Sequence, residues 1–215
     1  AGLKILVTAG PTQEAVDPVR YITNHSTGKM GYAIAKIASR RGAEVTLVSG
    51  PTAEEEPAFV NVVNVCSAKE MFEAVKERAQ EQDIIIKAAA VADYRPKHIR
   101  GSKMKKTEDG SDLTLELERT DDILAYLGAH KKQGQFLCGF AMETEDLIAN
   151  AKRKLEKKRL DMIAANSLRV EGAGFGGNTN VVTVITKEKE VSLGKMTKEE
   201  TAAELLTMIA EARKV

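Results

Sequence analysis

The sequence predicts an α/β protein with a Rossmann-like, mainly parallel sheet and helices on both faces of that sheet. Apolar runs of strand length alternate with stretches of helical period along most of the 215 residues, and such alternation is typical of βαβ units. The run Ile84–Ala90 opens with three isoleucines, as expected for a strand that is buried on both faces. Glycines also stand between the first strand and the first helix, where a phosphate-binding turn lies in such folds.

The predicted elements follow from these periods and from the turn residues between them. In chain order they are strand 3–8, helix 29–41, strand 44–48, strand 59–65, helix 67–81, strand 83–88, helix 121–132, strand 135–140, helix 143–158, strand 160–164, a β-hairpin near 180–193 and helix 197–213. We expect them to form a single domain over residues 1–215.

The segment from about 94 to 119 interrupts this alternation. It is polar and basic at first and then alternates over Leu113–Glu118, a pattern that is typical of a half-buried strand. Exposed apolar strands outside a main sheet commonly pair across dimer interfaces. We therefore predict a β flap here that is used for dimerisation.

Composition excludes several classes of partner. The net charge is +1 with 29% charged residues, so no strong overall field attracts nucleic acid or a membrane. No apolar run approaches the roughly 18 residues of a membrane span. Cys66 and Cys138 lie in apolar runs far apart, and we expect both to be buried reduced thiols in a cytoplasmic protein. No spacing indicates a metal site, and the metal ligands are left open.

The glycines near the start of the first helix indicate anion binding. Gly10 follows the first strand, and Ser26, Gly28 and Gly31 precede or open helix 29–41. Unpaired N–H groups and the positive end of the helix dipole lie at such a helix start, and glycine lets an anion approach closely. A helix entry that merely needs small residues is the alternative.

The spacing of these glycines argues against a nicotinamide dinucleotide. Some 17 residues, Pro11–Thr27, separate the two glycine turns, and the second strand ends in Ser49–Pro51 without an acidic residue. The dinucleotide fingerprint needs a compact turn and that acid. We therefore keep an NAD(P)-dependent reductase only as an alternative. A nucleotide-sensing module without catalysis is a second alternative.

Three clusters follow strands of the predicted sheet and should line one crevice. They are Ala9–Thr12, Ala88–Tyr94 and Gly139–Thr144, and ligands bind beyond the carboxyl ends of parallel strands. Asp93 adds a carboxylate, although capping a turn is its alternative role.

Two groups of lysines could meet a triphosphate. Lys103–Lys106 is either a solvated loop or a mobile loop that lays ammonium groups over phosphates. Lys154 and Lys158 are four residues apart and share one helix face, where a solvent-facing surface is the alternative.

Several of these motifs recur in one enzyme family. They are Val7–Thr12, Asp17–Ile22, Asn24–Gly31, Ala89–Tyr94, Lys103–Lys106 and Gly139–Ala141. With them the chain resembles the phosphopantothenoylcysteine synthetases of coenzyme A biosynthesis over essentially its whole length. In bacteria such a synthetase is often the C-terminal domain of a bifunctional protein with a flavin-dependent decarboxylase.

The resemblance implies a ligase reaction in two halves. The carboxylate of 4′-phosphopantothenate attacks CTP, which binds with Mg²⁺, and gives an acyl-cytidylate and pyrophosphate; cysteine then displaces CMP. It implies a homodimer, and fusion to a flavin-dependent decarboxylase is one arrangement that it allows. CTP or ATP preference stays open, because eukaryotic relatives use ATP.

The resemblance also implies roles for matching residues. Asn24 and Lys103 are the expected catalytic residues. The expected substrate-binding residues are Arg20, from the neighbouring subunit, and Asn24, Ala89, Ala90 and Asp93. The expected nucleotide-binding residues are Gly10, Ser26, Gly28, Gly31, Lys87, Ala88, Ala89, Asp93, Lys103, Asp121, Asp122, Ile123, Leu124, Phe140, Lys154, Lys158 and Asn166. The chain departs from the family pattern at Thr120–Asp121 and at Lys87, where a small residue is more usual.

Overall fold

The computed structural model describes residues 2–105, 112–143, 146–167 and 176–213. Its strands are β1 (Lys4–Ala9), β2 (Glu14–Ala15), β3 (Tyr21–Ile22), β4 (Glu44–Ser49), β5 (Val60–Asn64), β6 (Ile84–Lys87), β7 (Tyr94–Pro96), β8 (Leu117–Arg119), β9 (Phe136–Glu143), β10 (Met162–Ser167), β11 (Thr179–Asn180), β12 (Val182–Thr186), β13 (Glu190–Ser192) and β14 (Met196–Thr197). Its helices are α1 (Lys29–Arg40), α2 (Ala68–Ala79), α3 (Ile123–His130), α4 (Leu147–Lys157) and α5 (Lys198–Ala212).

A central sheet organises the described residues and confirms the predicted α/β class. Its strands follow the order β13-β12-β10-β9-β6-β1-β4-β5. The strands from β10 to β5 in that order are parallel, whereas the predicted hairpin of β12 and β13 continues the sheet in antiparallel fashion. The carboxyl ends of β1, β6, β9 and β10 therefore meet at one edge of the sheet.

Helices cover both faces of this sheet, as the alternation of side chains along a strand requires. Val7 packs in one apolar cluster with Ile34 of α1 and Leu205 of α5. Leu6, its neighbour on β1, packs on the opposite face in a cluster with Met71 of α2 and residues of α3 and α4. β1 is therefore buried on both sides.

The entry into α1 is pressed against the end of β1. A Cβ on Gly31 would lie only 2.5 Å from the Cβ of Ala9, and Gly10 and Gly28 have φ angles of +77° and +80°. Side chains at these positions would clash or be strained. The glycines thus have a packing role that brings the helix start to the edge where the strands end.

The structure corrects two boundaries near this edge. β9 pairs with β10 as far as Glu143, so α4 begins at Leu147 and not at residue 143. α3 begins at Ile123, because Asp122 caps it by accepting a hydrogen bond from the Ala125 N–H at 2.9 Å.

A short ribbon of β7 and β8 projects from the sheet within the segment predicted as a flap. Arg95 and Glu118 form an ion pair across it at 2.8 Å. The predicted strand over Leu113–Glu118 begins too early, since β8 comprises only Leu117–Arg119, and next to it a single backbone hydrogen bond of 3.0 Å runs from the Lys97 N–H to the Glu116 carbonyl. In the single chain the side chains of this stretch are exposed and not half-buried, at 57%, 39% and 45% for Leu113, Leu115 and Leu117.

The two cysteines lie in different environments. Cys138 on β9 is buried, and burial raises the pKa of its thiol. The prediction that Cys66 is buried is wrong: it is exposed in the turn between β5 and the cap of α2, because the strand ends at Asn64. Among the described helices, none has the length and apolar character needed to cross a membrane.

Candidate active site

A crevice at the carboxyl edge of the sheet consists of two adjoining cavities. The glycine chamber, of about 290 Å³, lies between the start of α1 and the ends of β6, β9 and β10. The lysine chamber, of about 420 Å³, lies between the end of β6, the start of α3 and one face of α4. Lys87, Val91, Asp93 and Lys154 line both chambers, so the two chambers lie side by side and share these residues.

The glycine chamber is suited to an anion on its α1 side. Gly28 caps α1 in a left-handed conformation and supplies no side-chain hydrogen bond to the first turn. Ser26 Oγ accepts a long hydrogen bond of 3.4 Å from the Gly28 N–H. Backbone N–H groups at a helix start, beside residues without bulk, form a favourable site for phosphate.

Asn24 ties the two walls of the glycine chamber together. Its Nδ2 donates to the carbonyl of Ala90 at 2.6 Å, and its Oδ1 accepts from the Ser26 N–H at 3.0 Å. Its side chain is not among those that line either chamber. In the free chain Asn24 therefore fixes the distance between the turn before α1 and the turn after β6.

An unsatisfied acceptor lies in the glycine chamber. Asn166 is only 3% exposed, and its Nδ2 donates to Asn180 Oδ1 at 2.6 Å. Its Oδ1 has no hydrogen-bond partner in the described part of the chain. Burial of an unpaired acceptor costs about 1–3 kcal/mol.

Ionic groups of opposite sign line the lysine chamber. Lys158 Nζ donates to Asp122 Oδ2 in a close ion pair. Burial opposes ionisation of Asp122, but the hydrogen bonds from Lys158 and from the Ala125 N–H outweigh it and lower the pKa of this carboxyl. Lys154 Nζ donates to the carbonyl of Phe140 at 3.3 Å. The chamber thus offers cations that are held in place before a ligand arrives.

Lys87 lies at the junction of the chambers, at the end of β6. Its Nζ donates to the carbonyl of Ala89 at 2.8 Å. Burial, followed by the nearby charge of Lys154, lowers the pKa of Lys87 to about 8, while Asp93 and Asp122 act in the opposite direction. Keeping a half-buried ammonium charged beside a second lysine costs free energy, unless an anion binds between the two.

Four predicted site residues lie outside both chambers: Gly10, Arg20, Asn24 and Lys103. Arg20 donates from Nε and Nη2 to Asp17 Oδ2 at 3.0 and 2.5 Å, and Nη2 also donates to the carbonyl of Met104. Lys103 is exposed beside that contact. Lys103 therefore lies near Arg20 on the chain surface, and neither residue lines a chamber of this chain.

The remaining predicted residues line the crevice. In the glycine chamber these are Ser26, Gly28, Gly31, Ala88, Ala89, Ala90, Phe140 and Asn166; in the lysine chamber they are Asp121, Asp122, Ile123, Leu124 and Lys158; Lys87, Asp93 and Lys154 belong to both. Residues not predicted also line it, among them Lys29, Arg119, Asn180 and Lys198. Lys29 lies inside the glycine motif, but no local motif marks the other three.

In the part of the chain that the structure describes, no three or more His, Cys, Asp or Glu side chains are grouped so that they could hold a metal ion by themselves. Asp93, Asp121 and Asp122 nevertheless line the lysine chamber. Mg²⁺ usually binds through one or two carboxylates together with substrate phosphates, so these residues fit a metal that arrives with a nucleotide.

Comparisons with known proteins agree with this architecture. Residues 1–212 match the family model described as the DNA/pantothenate metabolism flavoprotein C-terminal domain. The chain is 49% identical over 205 residues to the coenzyme A biosynthesis bifunctional protein CoaBC of Vibrio vulnificus strain YJ016, covering 95% of this chain and 51% of that protein. It is 48% identical over 215 residues to the protein of the same name from Bacillus subtilis strain 168, covering 99% and 52%.

A solved structure shows the same fold. The crystal structure of the C-terminal domain of coenzyme A biosynthesis bifunctional protein CoaBC superposes with a TM-score of 0.82 at 46% identity, covering 97% of this chain and 94% of that one. The chain spans about half the length of the curated relatives that it matches.

Proposed function

We propose that this chain, which belongs to the family of the DNA/pantothenate metabolism flavoprotein C-terminal domain, is a phosphopantothenate–cysteine ligase. In this proposal it joins 4′-phosphopantothenate to cysteine and uses CTP as the activating nucleotide. Relatives at 48–49% identity are named coenzyme A biosynthesis bifunctional proteins, which supports the assignment to that pathway.

The observation that carries the proposal is that the two chambers are adjacent and share Lys87, Val91, Asp93 and Lys154 in their linings. A nucleoside triphosphate and an anionic acid must be held in one crevice for the first half-reaction. The start of α1 and the lysines supply anion sites on both sides of the junction. Holding two reactants side by side makes their reaction effectively unimolecular, and this contributes much of an enzyme's rate enhancement.

The chemistry needs neutralised charge more than a protein nucleophile. A carboxylate oxygen of phosphopantothenate attacks the α-phosphate of CTP, and the bond to the leaving pyrophosphate breaks. Lys154 and Lys158 are placed to offset the negative charge of the phosphates. In the second half-reaction the cysteine amine attacks the activated carbonyl carbon, the amide bond forms and CMP leaves.

Asn24 has the right chemistry for the acyl-nucleotide. Its amide is neutral and carries two donor hydrogens, of which the contact to Ala90 uses one. The other can hold an acyl oxygen without repelling an anionic intermediate. An ionised aspartate at this position could not donate.

Mg²⁺ belongs to the proposal as part of the nucleotide substrate, where it would neutralise phosphate charge. Asp93 and Asp121 are two carboxylates that line the lysine chamber and could contact the Mg²⁺. Asp122 is engaged by Lys158, so it is the less available of the chamber's carboxylates.

The proposal includes a homodimer formed through the flap. Leu113, Leu115 and Leu117 are exposed on the ribbon side, and so is Ile99, which a second copy could cover. Arg20 and Lys103 lie outside the chambers of their own chain, so a neighbouring subunit's crevice is where we propose that Arg20 acts. For Lys103 we propose a loop that closes over the triphosphate.

We also propose a domain organisation and a cellular location for this chain. We treat residues 1–215 as one synthetase domain with the flap at about 94–119 as its insertion, fused to or associated with a flavin-dependent decarboxylase. We also propose that it acts in the cytoplasm.

A pyrophosphate-release assay tests the proposed function. Wild-type protein should release pyrophosphate from CTP with Mg²⁺ only when 4′-phosphopantothenate is present, and CMP on further addition of cysteine. A parallel reaction with ATP decides the nucleotide preference. NADPH binding without pyrophosphate release would instead favour a reductase, and CTP binding without turnover a sensor.

A further inference from the structure

We propose that Thr12 is a positioning residue for the ligase reaction: its hydroxyl holds the turn after β6 so that Asp93 lies at the wall that the two chambers share. The inference rests on the proposed function, in which Asp93 contacts 4′-phosphopantothenate. It goes beyond that function because Thr12 lines neither chamber, so it acts on a ligand only through other residues.

Thr12 follows β1 and is fully buried. Its Oγ1 accepts a hydrogen bond of 3.0 Å from the N–H of Ala92, the residue before Asp93. Its backbone N–H donates to the carbonyl of Ala90 at 3.3 Å, and its own carbonyl accepts from Thr23 Oγ1 at 2.8 Å. Thr12 therefore joins the turn after β6 to the segment that precedes α1.

The backbone of Ala92 is held at both its N–H and its carbonyl. Thr120, which connects β8 to α3, donates from Oγ1 to the carbonyl of Ala92 at 2.6 Å. The N–H of Thr120 also donates to the carbonyl of Asp93 at 3.0 Å. Ala92 thus lies between two threonine hydroxyls, that of Thr12 beyond the end of β1 and that of Thr120 beside the lysine chamber.

Asp93 depends on these backbone contacts for its position. Its side chain is exposed and lines both chambers, so close packing does not fix its carboxylate. A binding group must be held within about 0.5 Å of its productive position by the residues around it. The contact from Thr12 to the residue before Asp93 provides such support.

Two substitutions separate the Thr12 hydroxyl from the rest of the side chain. Thr12→Val keeps the shape but offers no acceptor to the Ala92 N–H, whereas Thr12→Ser keeps the acceptor and loses a buried methyl group. Both should lower Tm. Only Thr12→Val should raise the KM for 4′-phosphopantothenate, by about 5- to 10-fold in pyrophosphate release at saturating CTP, with Thr12→Ser within about two-fold of wild type.

A double-mutant cycle tests whether Thr12 acts through Asp93. The residual activity of Asp93→Ala is measured at raised enzyme concentration. In that background Thr12→Val should raise KM by less than about two-fold, because the group that it positions is absent.

Thr186→Val is the matched control. It removes a hydroxyl that accepts from the N–H groups of Glu188 and Lys189 in the turn between β12 and β13, and Thr186 lines neither chamber. The same kind of bond is lost, so the KM for 4′-phosphopantothenate should stay as in wild type.

Three results would overturn this inference alone: an unchanged KM in Thr12→Val, equal rises in KM in Thr12→Val and Thr12→Ser, or an undiminished effect of Thr12→Val in the Asp93→Ala background. Absence of phosphopantothenate-dependent pyrophosphate release by wild-type protein overturns the proposed function and this inference with it.

Discussion

The side-chain amide of Asn24 donates a hydrogen bond of 2.6 Å to the carbonyl of Ala90 and so joins the turn before α1 to the turn after β6. The same side chain accepts from the Ser26 N–H. These bonds place one polar group against both walls of the glycine chamber. A substitution at Asn24 therefore affects both the positioning of the two turns and the hydrogen bond proposed for the reacting group. The choice of variants must separate these two effects.

Asn24→Ala should lower turnover by about 100-fold or more while the CTP dissociation constant stays within a few fold, as expected when a transition-state donor is lost. Asn24→Asp retains the acceptor for Ser26 but loses the donor. It should be as inactive as the alanine variant, and its thermal stability should also fall, because a carboxylate oxygen then faces the Ala90 carbonyl. Steady-state kinetics and CTP calorimetry measure these effects. Normal turnover with a large loss of CTP affinity would contradict the assignment.

The sequence predicted the elements that carry a strong local signal. Few conformations fit an apolar run such as that of β6 or the closely spaced glycines around α1. Both elements lie where we expected them. Lys198 and Arg119 reach the crevice from elements far along the chain. No local pattern reports that proximity, because tertiary packing creates it.

Burial was harder to predict than element type. Cys66 follows an apolar run but lies two residues beyond the end of its strand, which stops at Asn64, one residue before the predicted end, and its side chain is exposed. The alternation at Leu113–Leu117 predicted a half-buried face. Among the described residues of a single chain these leucines are exposed, so the alternating pattern predicted a burial that the chain by itself does not provide.

The segment that carries Lys103 gives a prediction for limited proteolysis. Lys103 and Lys105 are exposed on either side of Met104, whose backbone contacts Asp17 and Arg20. If this segment closes over a triphosphate, saturating CTP and Mg²⁺ should slow trypsin cleavage after both lysines by about 5-fold or more. Lys106, the last lysine of the motif, lies outside the described residues.

Cleavage elsewhere provides the internal control for that experiment. Lys187 and Lys189 lie in the exposed turn between β12 and β13, and cleavage there should not respond to CTP. Peptide mapping by mass spectrometry distinguishes the sites. Unchanged cleavage after Lys103 at saturating CTP would count against a closing loop.

Asp17 gives a prediction for acid stability. The side-chain hydrogen bond from Arg20 holds the pKa of this buried carboxyl well below its usual range; burial opposes the shift, and N–H groups of Val19, Met104 and Arg20 reinforce it. A carboxyl whose pKa is lower in the folded chain than in the unfolded chain stabilises the fold at pH values above its unfolded-state pKa of about 3.9. This stabilisation is lost as the pH falls toward the folded-state pKa.

Asp17→Asn should therefore lower Tm most at neutral pH, and the gap to wild type should narrow as pH falls below about 4. Asp112→Asn changes an exposed carboxylate and should shift Tm little at any pH. Thermal unfolding followed by circular dichroism across this pH range measures both gaps. If the difference in Tm between wild type and Asp17→Asn stays constant as the pH falls, the stabilising role of the Asp17–Arg20 ion pair is refuted.

The last prediction concerns shared sites. Asp93 lines both chambers, whereas Arg20 lies outside them on a surface with exposed Val19 and Tyr21. If Arg20 serves the neighbouring chain and Asp93 its own, homodimers of Arg20→Ala and of Asp93→Ala should each be nearly inactive. In a mixed dimer the Arg20→Ala chain keeps its own Asp93 and receives an intact Arg20 across the two-fold axis.

Random exchange of equal amounts makes half of the dimers mixed, each with one complete site of two, so about a quarter of wild-type activity should return. Denaturing and refolding the two variants together tests this, and each variant refolded alone is the control. Arg20→Ala also leaves Asp17 without its partner, so both refolded variants must first show a cooperative unfolding transition. Proven mixed dimers without recovered activity would place Arg20 and Asp93 in the same chain's site, because only residues supplied in trans can complement each other.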